Sequence, residues 1–122
     1  MKTEDLEGYA FTEDNMIPLI MLVLDTMGGR ASKEIVEERI YDLFRDEFKK
    51  AYWHEKVGYG IPRWKHYIAW AKERAKQIYK YIESPQKAGR GCWELTQKGK
   101  EYCLQIKATV KKEVLDGANS KI

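Results

Sequence analysis

Apolar residues from Ile17 to Leu24 (Ile17, Leu19, Ile20, Leu22, Val23, Leu24) fall on nearly every side of a helical projection and predict a first helix central in the core. Asn15 is its candidate N-cap, Pro18 falls in the tolerated first turn, and Gly28-Gly29 closes it. Ser32 caps a second helix running to about Phe44. Ile35, Val36, Ile40, Leu43 and Phe44 form one stripe of it, while Lys33, Glu37, Glu38 and Asp42 face water. From Arg45 to Ile61 the period is lost in a segment of aromatics, glycines and charges. Pro62 then suits the start of a third helix over residues 63–80. Trp64, Ile68, Ala71, Ala75 and Ile78 share one face of that helix. The other face carries Lys65, His66, Ala69, Glu73, Lys76, Gln77 and Lys80, with Arg63 and Trp70 at its margin.

The period changes to two in the strand Cys92 to Thr96, where Trp93 and Leu95 alternate with Cys92, Glu94 and Thr96. With Tyr81 to Glu83 before it, this segment predicts a hairpin whose tip is bracketed by Pro85, Gly89 and Gly91 and carries Lys87 and Arg90. A last helix runs from about Gln97 to Leu115, with Thr96 as N-cap and Asp116-Gly117 as stop. Its stripe of Tyr102, Cys103, Ile106, Val110 and Val114 packs on the core, dimerises or packs against a neighbouring domain. The order of helices and hairpin predicts an α+β, mostly α fold: a winged helix-turn-helix of three helices, a β-hairpin wing and a C-terminal helix. Residues 13–116 form the domain, between tails at 1–12 and 117–122.

At 122 residues the chain has the size of one domain, with no apolar run approaching a bilayer span and no basic-then-apolar leader, so a soluble, cytoplasmic protein is expected. Cys92 and Cys103 are too few for a disulfide framework, and with His54 and His66 they show no zinc spacing. Both cysteines read as structural thiols, and neither a metal nor a cofactor is expected. Charge sharpens the picture. Residues 1–48 hold five Lys/Arg against twelve Asp/Glu, and residues 49–100 hold thirteen against four, so a net charge of only +3 conceals one basic segment beside an acidic one. The Glu47-Phe48-Lys49 triplet near Asp42 and Asp46 is a chance-level echo of a nuclease metal site, and no nucleophile–base pair stands out, so the chain itself does not read as an enzyme.

A basic segment around a predicted groove-reading helix points to double-stranded DNA as partner. Arg63, Lys65, His66, Ala69 and Glu73 are the candidate base-reading residues, and Lys72, Lys76, Lys87 and Arg90 the candidate phosphate clamps. Ala69 allows close approach to a pyrimidine 5-methyl group. Trp53, His54 and Tyr59 are candidate aromatic contacts, whereas Trp64, Trp70 and Trp93 follow the buried faces and are expected in the core, a place open to Trp53 as well.

The stretches Met16-Ile17-Pro18-Leu19-Ile20, Ser32-Lys33-Glu34-Ile35-Val36, Ile68-Ala69-Trp70-Ala71, Ile82-Glu83-Ser84-Pro85 and Gly89-Arg90-Gly91-Cys92-Trp93-Glu94-Leu95-Thr96-Gln97-Lys98-Gly99 together resemble the N-terminal domain of Mrr-type restriction endonucleases, across about residues 13–105. The resemblance implies a DNA-reading module that precedes a nuclease domain and often targets modified bases, such as methylated cytosine. The chain departs from the family in carrying Gln77-Ile78-Tyr79-Lys80-Tyr81 where a glycine turn is expected, and in having no nuclease domain. An excised specificity domain of a larger enzyme and a stand-alone transcription regulator both fit these features, and a protein-interaction winged helix is the remaining alternative.

Overall fold

The computed structural model describes residues 12–119, with side chains described through residue 109 apart from that of Glu13. Helix α1 (Glu13–Thr26) starts one turn earlier than the apolar run suggests, because the Thr12 side chain accepts from the Asn15 N–H. Thr12, not Asn15, is therefore the N-cap, and Pro18 lies inside the helix instead of in its first turn. The central position expected for α1 is observed: Met16, Ile17, Ile20, Met21, Val23 and Leu24 are all buried. Gly28 and Gly29, at φ 80° and 93°, end it and turn the chain into strand β1 (Arg30–Ser32).

Ser32 caps α2 (Lys33–Leu43) by accepting from the Ile35 N–H, as its position predicts. The stripe is narrower than expected. Val36 and Ile40 are fully buried, but Ile35 and Leu43 are exposed, while Glu37, assigned to water by its spacing, is 5% exposed. The unassigned segment resolves into two single-turn helices, α3 (Arg45–Phe48) and α4 (Ala51–His54), and then a tight hairpin. That hairpin pairs β2 (Lys56–Val57) antiparallel with β3 (Ile61–Pro62) around a 3-10 turn, Gly58–Gly60. Pro62 is the N-cap of α5 (Arg63–Gln77), which ends three residues short of the expected span.

Helix α5 presents Ile68, Ala71 and Ala75, all fully buried, to the core, and its contact with α1 is the most extensive between any two elements. Two alanines one turn apart let the helix backbones approach closely. Ile78, expected on this face, follows the end of the helix and is exposed. The turn for which a glycine was expected is made by Lys80 in the left-handed region, φ 60°.

The second hairpin forms where the sequence places it. Ile82 bridges to Leu95, the Glu83 N–H donates to Glu94 O, and the Thr96 N–H donates to Tyr81 O. Its tip is a single helical turn, α6 (Pro85–Ala88), followed by Gly89 at φ 100° and Gly91 at φ 75°. Strand β4 (Cys92–Glu94) also pairs antiparallel with β1, Ala31 facing Trp93, which binds the hairpin to the helices. A mostly helical protein with a small antiparallel sheet results.

Helix α7 (Gln97–Asn119) continues past the expected stop at Asp116-Gly117. Thr96 caps it, Oγ1 accepting from the Gly99 N–H at 3.0 Å, and the same hydroxyl donates to Lys80 O at 2.6 Å, tying the helix start to the turn after α5. Cys103 Sγ donates to Met21 O, and burial, with the Asp25 charge, pushes its thiol pKa up, in keeping with a structural role. Val110 and Val114, the end of the predicted stripe, lie outside the described side chains.

Gly99 fixes how closely α7 approaches the rest. A side-chain carbon there would lie 2.2 Å from Tyr81 O and 3.0 Å from Met21 Cε. Gly99→Ala is expected to destabilise the protein by about 1–3 kcal/mol in denaturant unfolding, despite the better helix propensity of alanine; unchanged stability would contradict this packing.

Candidate nucleic-acid interface

Helix α5 sets the geometry, because burying one side of it turns Lys65, His66, Ala69, Trp70 and Glu73 away from the core centre. Four of these are half-buried, but Trp70 is 49% exposed. The expectation that Trp70 fills the core is overturned: with Ile68 and Ala71 facing α1, position 70 points outward. Its indole stands edge-on to His66, ring centroids 6.0 Å apart. Trp93 is buried as expected, and Trp64 is partly buried against Tyr41 at 4.8 Å.

Trp53 is the opposite correction. It is 4% exposed, packed at 5.1 Å on Phe48 and 5.2 Å on Tyr67, and its Nε1 donates to Glu47 Oε1 at 3.1 Å. It is a core residue with a satisfied donor, closed to any aromatic ligand. His54 is exposed but hydrogen-bonded through Nε2 to the Tyr41 hydroxyl at 3.0 Å. Tyr59 stands fully in solvent at the tip of the β2–β3 hairpin.

The cations divide into committed and open ones. Arg63 donates to Glu55 Oε2 at 3.0 Å and lies 3.9 Å from the Tyr52 ring centre, with only 18% of its side chain exposed. It braces the start of α5. Lys72 and Lys76 both reach Glu73 Oε1 at 3.2 Å and are largely covered, Lys72 also lying over Trp93. Burial acts to raise the Glu73 pKa, but hydrogen bonds from Lys76 and Lys72 prevail and hold it below the usual range. One carboxylate thus offsets half the charge of two expected phosphate clamps. Lys87 is exposed but paired with Glu83 at 2.7 Å, whose carboxylate raises the lysine pKa. Arg90, exposed on the hairpin tip, makes no ion pair among the described residues, and neither do Lys65 and Lys80.

Two features escaped the sequence reading. Arg30 donates from Nε and Nη2 to Ala88 O at 3.2 and 2.9 Å, tying β1 to the hairpin tip so that the loop carrying Arg90 is held in place. Its one signal was a basic residue directly after Gly28-Gly29. Lys80 lines a polar cleft of about 620 Å³ between the end of α5 and the hairpin base, with Lys76, Gln77, Ser84, Gln86 and Thr96. A separate apolar groove of about 320 Å³ lies between α1 and α2, lined by Leu19, Leu22, Val23, Thr26, Arg39 and Leu43.

The Glu47-Phe48-Lys49 triplet is part of the scaffold: Phe48 is fully buried, and Glu47 is held below its ordinary pKa by Lys50, against burial, with help from Trp53. Among the described residues no His, Cys, Asp or Glu cluster converges to hold a metal ion, and no helix is long and apolar enough to cross a membrane. Comparison with protein-family models, curated proteins and solved structures returned no match.

Glu37, under the acidic flank, has its pKa raised by burial, with Lys33 and Lys65 opposing the shift and Glu34 adding to it. A raised folded-state pKa means that its contribution to stability is present at low pH and is lost as pH rises through that value. Glu37→Gln is therefore expected to raise the thermal midpoint at pH 7, with the gain disappearing at acid pH where the native carboxyl is protonated. A gain independent of pH would contradict the assignment.

Proposed function

We propose that the protein is a double-stranded DNA-binding specificity module of winged-helix type, with α5 as the reading helix and the Ile82–Leu95 hairpin as the wing. The observation that carries this reading is the outward side of α5, where Trp70 is half exposed beside His66 and Ala69. A large indole left half exposed on a helix braced at its start supports a surface that is covered when a ligand binds. The third strand β1, placed between α1 and α2 and paired with β4, supports the winged-helix assignment.

Within this reading His66 approaches base edges, and Arg90, Lys80 and Lys65 meet phosphates. Arg63 braces the helix start, and Lys72 and Lys76 position Glu73. Ala69 with Trp70 offers the apolar contact that a pyrimidine 5-methyl group requires, so methylated cytosine is the proposed target feature. The likeness of Gly89–Gly99 to Mrr-type sequences supports a role as the specificity part of a restriction endonuclease. A second reading, a regulator that dimerises through α7, is favoured by Leu104, 64% exposed on that helix; it requires a two-fold DNA site.

Fluorescence anisotropy with matched unmodified and cytosine-methylated duplexes at several salt concentrations tests the proposal. Phosphate contacts by Arg90, Lys80 and Lys65 predict a log–log salt slope of about −3, reduced by about one in Arg90→Ala. Methylation is expected to tighten binding by about tenfold, or 1.4 kcal/mol. Equal affinity for both duplexes would remove the methyl-reading part, and no binding at low salt would contradict the function.

A further inference from the structure

Tyr59 holds a backbone conformation that tyrosine seldom adopts, φ 59° and ψ 18°, and its ring is entirely exposed. It makes no ring contact, ion pair or hydrogen bond among the described residues. Left-handed backbone is disfavoured for a bulky side chain, and exposure returns nothing to offset it, so the strain must be held by the surrounding structure.

That structure is visible. The hairpin pairs Lys56 with Pro62 and Val57 with Ile61, and Gly60 at φ 73° completes the turn. The Arg63 N–H donates to Glu55 O at 2.9 Å, and a side-chain carbon at Gly58 would lie 3.5 Å from His66 Cε1. The finger is thus tied to the first turn of α5 and seated against His66, which also lies beside Trp70. A hairpin tip bearing an aromatic ring adjoins the reading face, with Lys56 exposed at its base.

We propose that Tyr59 is a wedge that inserts its ring between adjacent base pairs of the duplex held by α5, unstacking one step and bending the DNA. The inference rests on the DNA-binding reading above. Apolar or aromatic wedges kink a duplex because a base step gives up its stacking to the inserted side chain, and pyrimidine–purine steps yield most easily. The tip suits this role: the ring packs on nothing among the described residues and stands presented to solvent. Trp70, beside His66, then lies against the groove wall that the bend brings inward.

The test uses end-labelled duplexes carrying either a central TA step or an A-tract, with bending read by energy transfer between the ends at low salt. The wild-type protein is expected to bend the TA duplex by at least about 20°, with Tyr59→Phe bending it equally. Tyr59→Ala, which fills no packed space, is expected to fold normally and bind more weakly while leaving the duplex straight. Binding by the wild type without bending, or equal bending by Tyr59→Ala, would overturn the wedge and leave the DNA-binding reading intact. Absence of any duplex binding would overturn both.

Discussion

Alanine at positions 71 and 75 lets the backbone of α5 lie close against α1, and the rest of the molecule is arranged around that contact. Larger side chains there would push α5 outward and open the layer in which Met16, Ile20 and Met21 are buried. Once the two helices are in register, which residues of α5 meet solvent is settled by the helical repeat: 68, 71 and 75 go in, and 66, 69 and 70 face out. The same constraint reaches α7. Cys103 donates to Met21 O, Lys107 pairs with Asp25, and Gly99 leaves no room for a side chain above Tyr81 O. A helix, a turn and a second helix are thereby locked by close backbone approach, with the small sheet closing the other side.

Much of this was legible in the sequence, for reasons that can be stated. The caps Ser32 and Thr96 were readable because a hydroxyl at a helix start has one geometrically favoured acceptor role. The burial of Trp93 and Leu95 was readable from a period of two. Trp70 was misjudged because a projection at 100° per residue puts it at the edge of the apolar face, and hydrophobicity then favours the inside; the decisive factor is the angular position set by Ala71 and Ala75. Trp53 stays undecided between core and contact in the sequence because its segment has no period. Its burial depends on Phe48 and Tyr67, the second of these on a distant element. Glu37 falls outside the apolar stripe by its spacing, yet its position beside Val36 and Ile40 buries it.

The cations illustrate the gap between composition and site. A segment with nine more positive than negative charges suggests an open basic face, but pairing within the protein removes much of it. Glu73 takes two lysines, Glu83 takes Lys87, and Glu55 takes Arg63. Such pairs contribute little to stability when exposed, but they decide which charges a polyanion would meet. Six cations of the segment stay without an ion pair among the described residues: Lys65 on the helix, Lys80 at its end and Arg90 on the hairpin tip, with Lys56, Lys98 and Lys100 elsewhere on the surface, and the loop of Arg90 is held in place by the hydrogen bonds of Arg30 to Ala88 O. A few fixed cations around an exposed indole suit a module that reads a duplex by shape and apolar contact more than by bulk charge.

The central claim is that the outward side of α5 and the two hairpins beside it form one DNA-binding face. Backbone amide chemical shifts recorded by NMR during titration with a short duplex test it most directly. The account predicts that the largest changes fall on residues 58–60, 65–73 and 84–91, with Glu34, Glu38 and Asp42 on the acidic flank unmoved. Changes concentrated instead on Leu19, Leu22 and Leu43, along the apolar groove between α1 and α2, or on the exposed side of α7, would contradict it.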